Sequence, residues 1–139
     1  MTFPAVATLI PHRPPMLLVD EVVEHEGPRV ICRTTIREDM PFVTDGEVPI
    51  LIALELFAQA ACSLVALLAT RRGTAMQSGA FLGTRSVSLQ PGVLRVGDVV
   101  DIHCLQTMAI GRTAQVECRL VRAGETLAAG AINVMAGPL

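Results

Sequence analysis

The chain has 139 residues and a formal net charge of −2; 51% of its residues are hydrophobic and 17% are charged. This composition excludes intrinsic disorder and supplies enough apolar side chains for one core, so we expect a single domain spanning residues 1–139. The aromatic residues are four Phe, without Trp or Tyr, and the charge offers no attraction to phosphate. Nucleic-acid binding is therefore not expected.

The N-terminal half predicts two strands and a long helix. Residues 3–10 are expected to form a short helix or turn, and the apolar segment Met16–Val23 is predicted to be a strand. The alternating segment Arg29–Arg37 is predicted to pair with it as a hairpin. After an irregular loop at 38–48, the apolar segment Pro49–Thr70 is predicted to be a helix, because Pro suits the first helical turn.

The C-terminal half contains four further strand-like segments that Gly or Pro residues separate. They are Ala80–Gln90, Val99–Ala109, Thr113–Val121 and Thr126–Met135. Two strands, one helix and four strands predict an α+β fold with an antiparallel sheet of about six strands. Because the helix is apolar on nearly every side, we expect the sheet to wrap around it.

The helical segment is also long enough to cross a bilayer, but a charged residue within it opposes insertion, so we expect no membrane span. No signal peptide is recognised at the N-terminus, which predicts a cytoplasmic protein. Four Cys residues lie in apolar segments without metal-ligand spacing and are expected to be buried free thiols. We accordingly expect no metal and no cofactor.

Glu55 is the one charged residue of the predicted helix, and Gln59 follows four residues later on the same face. A buried carboxylate is costly unless it is paired, protonated or directed at a cavity. We therefore predict a polar site at Glu55, with Gln59 orienting it or capping a buried carbonyl group. The alternative is a structural carboxylate that backbone N–H groups or an Arg of a second subunit satisfy.

Two motifs resemble those of the hotdog-fold 3-hydroxyacyl-[acyl carrier protein] dehydratases of fatty acid synthesis. Residues 10–20, which include His12 and Arg13, are similar to the family's L-P-H-R-x-P-x-L-L-V-D opening. Residues 49–60, which include Glu55 and Gln59, are similar to its P-G-x-x-x-x-E-x-x-A-Q-A helix start. The chain resembles more closely a divergent branch, the dehydratase-like hotdog proteins of aryl polyene and related pigment pathways.

The resemblance implies a hotdog fold in a homodimer or heterodimer, and dehydration of 3-hydroxyacyl thioesters on acyl carrier protein to trans-2-enoyl thioesters. In the family, a His removes the α-proton and a carboxylic acid from the opposite subunit protonates the departing β-hydroxyl. Glu55 takes the place of that acid. The resemblance further implies substrate contacts at Gln59, at the helix start around Ile50, and at Phe81 and Gly83 on the next strand.

The chain departs from the family where the catalytic His is expected. That position falls on Pro41, and the loop Met40–Val48 contains no His; Ile50 also replaces the family's Gly. The base is then either His12, if the N-terminal segment folds over the helix, or a group of a partner subunit, in which case His12 has a structural role. Three functions remain open: a dehydratase, a thioesterase whose carboxylate activates water, and a non-catalytic acyl-binding subunit of a hotdog heterodimer.

Overall fold

The computed structural model describes residues 2–71 and 79–136, apart from the side chains of residues 71, 79–82 and 136. The helical elements are two short 3₁₀ turns, Val6–Thr8 and Ile50–Ile52, and the long helix α1, Ala53–Arg71. The strands are β1 (Glu21–Glu26), β2 (Arg29–Thr35), β3 (Glu47–Pro49), β4 (Gly79–Leu89), β5 (Val93–Arg95), β6 (Val99–Ile110), β7 (Thr113–Arg122) and β8 (Glu125–Ala136).

Six strands form one antiparallel sheet in the order β1-β2-β6-β7-β8-β4. The central strands β2, β6, β7 and β8 contact α1, which lies across the sheet. The alternation predicted for β2 is present, since Val30, Cys32 and Thr34 are buried while Arg29 and Arg33 are exposed. The α+β class and the antiparallel sheet of about six strands around one helix are therefore confirmed.

The first predicted strand is wrong over most of its length. We predicted a strand over Met16–Val23, but β1 begins only at Glu21. The amides of Leu18 and Val19 do not pair with a neighbouring strand; both donate hydrogen bonds to the Gln59 side chain on α1. The apolar pattern thus marked a buried segment correctly, but a polar side chain from the helix takes its backbone hydrogen bonds.

A second, two-stranded sheet of β3 and β5 was not predicted. Its register pairs Glu47 with Arg95 and Pro49 with Val93, so Pro49 ends a strand instead of starting the helix. The 3₁₀ turn follows, and α1 begins at Ala53, four residues later than predicted. Each of these strands has three residues and buries only its central side chain, which is too short for a period-2 pattern to be recognised.

The apolar helical segment is a core element. Ile50–Thr70 is the one described segment long and apolar enough to cross a membrane, and 83% of its apolar window is buried inside the protein. Such burial is typical of a helix that a sheet covers. The four Cys residues are buried free thiols, as predicted: Cys32, Cys62, Cys104 and Cys118.

Candidate active site

The N-terminal segment folds over the first turns of α1, and Gln59 holds it there. The side chain of Gln59 is fully buried. Its Oε1 accepts hydrogen bonds from the amides of Leu18 (2.9 Å) and Val19 (3.2 Å). Its Nε2 donates to the carbonyl oxygen of Met16 (2.7 Å) and to Oε1 of Glu55 (3.0 Å). The two lone pairs and two N–H groups of the amide are all used, so its orientation is fixed.

This arrangement brings the two sequence motifs together at Glu55. The Glu55 Oε1 that accepts from Gln59 lies 3.4 Å from Nε2 of His12. That separation is longer than a well-formed N–H···O hydrogen bond but within the range of an ion-pair contact. The N-terminal segment thus folds over the helix, the condition under which the sequence allows His12 as the base, and it brings His12 close to Glu55.

Glu55 is less buried than its position on an apolar helix suggested. Its side chain is 34% exposed and that of His12 is 27% exposed. Leu51, one helical turn before Glu55, is 58% exposed, whereas Ala58, one turn after it, is buried. The carboxyl group thus lies where the exposed face of the helix start meets the buried part of α1, and it is open on one side.

The helix face that carries Glu55 continues into the core. Burial, together with the nearby charge of Glu55, raises the pKa of the Cys62 thiol to about 11. Cys62 follows Glu55 by seven residues, about two helical turns, so both side chains lie on the same side of α1. Cys62 is therefore protonated at neutral pH and is a small apolar side chain of this face.

His12 has an unsatisfied nitrogen. Its Nδ1 is inaccessible to solvent and has no hydrogen-bond partner among the described residues. The neighbouring Arg13 donates through Nη1 to the carbonyl oxygens of Ile10 (3.0 Å) and His12 (2.6 Å). Arg13 thus stabilises the turn that presents the imidazole ring to Glu55.

The loop before the helix has an exposed apolar side chain. Phe42, directly after Pro41, is 65% exposed and adopts a φ of 73°. A positive φ is costly for a bulky side chain and is retained only where the surrounding structure imposes it. Within the described residues, Glu55 is accompanied by His12 and not by a His of this loop.

Of the other predicted substrate contacts, Ile50 lies before the helix, whereas Gly83 and Phe81 lie on β4. Ile50 is buried, and its amide donates to the carbonyl oxygen of Gly92 (3.3 Å), so that N–H group is already paired. Gly83 lies on β4 opposite Asn133 with a φ of 149°, beside an irregularity in the register. Phe81 pairs with Val134 through its backbone, and its side chain lies outside the described residues.

The other two histidines lie elsewhere. His25 contacts the carbonyl oxygen of Gly27 at the turn after β1. His103 alternates with the buried Ile102 and Cys104 on β6, so it lies on the face of the sheet directed away from α1. It borders a depression of about 230 Å³ whose charges are of both signs.

Sequence reasoning missed the amides of Leu18 and Val19 and the exposed Leu51 as parts of this site. One signal for the amides was present: the apolar residues 17–19 belong to the same motif as His12, so they reach the helix together with it. Leu51 precedes Glu55 by four residues and lies in the 3₁₀ turn that leads into α1. Its exposure was not foreseen because the whole segment is apolar.

A family model described as ApeP-like, ApeP dehydratase, matches residues 4–138. The chain belongs to this family. It is 33% identical over 109 residues to the 3-hydroxyacyl-[acyl-carrier-protein] dehydratase FabZ of Ruminiclostridium cellulolyticum, a match that covers 74% of each protein. The predicted family, a dehydratase-like hotdog family, is thereby confirmed.

Solved structures show the same fold. A chain of the dehydratase heterocomplex ApeI:P from Xenorhabdus doucetiae matches with a TM-score of 0.91 and 27% identity, over 99% of this chain and 93% of that one. A hypothetical thioesterase with coenzyme A from Streptococcus pneumoniae has a TM-score of 0.66 and 14% identity, over 84% of each chain. The latter similarity concerns the fold alone.

Proposed function

We propose that this ApeP-like chain takes part in the dehydration of 3-hydroxyacyl thioesters on acyl carrier protein, with Glu55 as the general acid. The observation that carries this proposal is the setting of Glu55. Its Oε1 is held by Gln59 and approached by His12, while the side chain stays partly open to solvent. A carboxyl group that is fixed through one oxygen presents the other to a substrate. Membership of a dehydratase family supports the same chemistry.

The proposed reaction is a proton-balanced elimination. A base removes the α-proton of the 3-hydroxyacyl thioester, and the electrons of that C–H bond form the α,β double bond. The bond from the β-carbon to its hydroxyl oxygen breaks. Protonated Oε2 of Glu55 gives its proton to the leaving hydroxyl group, which departs as water. Glu55 is then ionised and regains a proton before the next turnover.

We further propose that a hotdog partner subunit supplies the base. The pre-helix loop has Pro41 where the resemblance places the catalytic His, and His25 and His103 lie at other parts of the sheet. The similar solved chain comes from a dehydratase heterocomplex, which supports a two-subunit site. His12 as a base of the same chain stays a prediction from the sequence.

The free edges of the sheet favour β4 as the dimer contact. β1, at one edge, contains Glu21, Glu24 and Glu26, and like charges along an edge strand discourage edge pairing. At the other edge, β4 exposes one charged side chain, Arg85, among the uncharged Thr84, Ser86 and Ser88. Strand pairing of two subunits along β4 would satisfy its free backbone groups.

The test replaces Glu55 by Gln, which keeps the shape and the acceptor oxygen but has no acidic proton. The protein, alone and mixed with a His-bearing hotdog subunit, is given a 3-hydroxyacyl carrier substrate, and enoyl absorbance and free thiol are followed. We expect dehydration to fall about 10²–10⁴-fold in Glu55→Gln. The exposed Glu38→Gln serves as the matched control and should retain activity.

The same assay separates the alternatives. Free thiol without enoyl product would identify a thioesterase. A mixture that dehydrates the substrate equally well with Glu55→Gln would exclude Glu55 as the acid and favour a non-catalytic acyl-binding subunit, the function that the missing loop His supports. Enoyl formation that depends on Glu55 supports the proposal.

A further inference from the structure

The two ring nitrogens of His12 have opposite surroundings. Nε2 lies 3.4 Å from Oε1 of Glu55, and the side chain as a whole is 27% exposed. Nδ1 is shielded from solvent and has no partner among the described residues. A protein interior tolerates a bare acceptor better than a bare N–H donor, so these surroundings select among the protonation forms of the ring.

Only one form suits both nitrogens. Protonation at Nδ1, alone or together with Nε2, would bury an N–H group that has no acceptor. The Nδ1–H tautomer would also direct the Nε2 lone pair at Oε1 of Glu55, so two acceptors would face each other. The Nε2–H tautomer has neither fault, because its N–H group is on the nitrogen that lies 3.4 Å from Oε1 and only a lone pair stays unpaired.

This tautomer limits what His12 can do in the proposed reaction. Nε2, the nitrogen beside Glu55, carries the hydrogen and has no lone pair with which to accept an α-proton. Nδ1 has the lone pair, but it is buried. His12 instead adds a second N–H group, beside that of Gln59, at Oε1 of Glu55.

From this geometry we infer that His12 is a positioning residue in its Nε2–H form, which holds Oε1 of Glu55 and leaves Oε2 to the substrate. The inference rests on the proposed function of Glu55 as the acid. It also assigns His12 a role different from that of a base, which the sequence allowed. Elimination then requires a base other than His12.

Two substitutions separate a positioning group from a base. His12→Gln replaces Nε2–H by an amide N–H at a similar distance from the backbone and removes any basic nitrogen, whereas His12→Ala removes both. We expect kcat to fall about tenfold or more in His12→Ala, and to recover to within about threefold of the unsubstituted protein in His12→Gln, with the pH profile unchanged. Equal losses in both variants, with loss of the acidic limb of the profile, identify a base and overturn the inference, as does full activity in both.

A second measurement does not depend on activity. Nitrogen-15 NMR of the ring in the unsubstituted protein should show a protonated Nε2 and an unprotonated Nδ1 for His12 at neutral pH, assigned by comparison with His12→Gln. An Nδ1–H tautomer overturns the inference even if Glu55 is the acid. Conversely, an active Glu55→Gln contradicts the proposed function while leaving the tautomer result intact.

Discussion

Replacement of Gln59 by Leu tests whether one amide joins the N-terminal segment to the helix. Leu keeps a similar volume but can neither accept from Leu18 and Val19 nor donate to Met16. Leu18 and Val19 are 0% and 1% exposed, so water cannot replace the lost acceptor. We expect the substitution to leave two buried N–H groups unpaired.

The magnitude follows from that count. An unpaired buried polar group costs about 1–3 kcal/mol, so the two N–H groups should lower the free energy of unfolding by about 2–6 kcal/mol. The Met16 carbonyl adds less, because that residue is partly exposed. Since domains are typically stable by about 5–15 kcal/mol, the loss is a large fraction of the total.

Urea unfolding followed by circular dichroism, at one protein concentration, measures this loss. Ser63→Ala is the matched control on the same helix, because the Ser63 hydroxyl donates only to the Gln59 carbonyl (2.9 Å) and its removal leaves no buried N–H group unpaired. We expect the control to change the unfolding free energy by about 1 kcal/mol or less. A Gln59→Leu protein within 1 kcal/mol of the unsubstituted one would refute the reasoning.

Two further perturbations act on the sheet. A Cβ atom at Gly130 would lie 2.4 Å from the Ser86 carbonyl oxygen. Gly130→Ala should therefore lower the unfolding free energy, measured by urea titration, by about 1–3 kcal/mol. An unchanged urea midpoint would contradict this close approach between β8 and β4. Burial and the nearby charge of Arg119 lower the pKa of His103 below its usual value of 6.5. As the pH falls, His103 therefore binds a proton at a higher pH in the unfolded chain than in the folded protein. Stability should therefore decrease below about pH 6.5, and less so in His103→Gln; equal pH dependence of the two proteins would exclude this cause.

Much of the fold followed from local patterns. The alternation of Val30, Cys32 and Thr34 predicted β2, and the continuous apolarity around Glu55 predicted a helix that the sheet covers. The two short strands of the second sheet were not predictable in the same way. Val48 and Leu94 are their only buried side chains, and one buried residue defines no period.

The candidate site was predicted in its members but not in its contacts. The motifs identified Glu55, Gln59 and His12, and the structure places all three together. The segment at Leu18 was predicted as a strand because its side chains are apolar. Its amides instead reach Gln59, 41 residues along the chain, a distance over which local periodicity carries no information.

The sequence by itself determined the sheet, the buried helix and the dehydratase-like family, because strand alternation, helix apolarity and motif spacing are properties of neighbouring residues. The tertiary structure decided which oxygen of Glu55 is held, how open its side chain is, and which nitrogen of His12 faces it. Those features depend on how the N-terminal segment packs on α1. That packing is set by hydrogen bonds between parts of the chain that are distant in sequence.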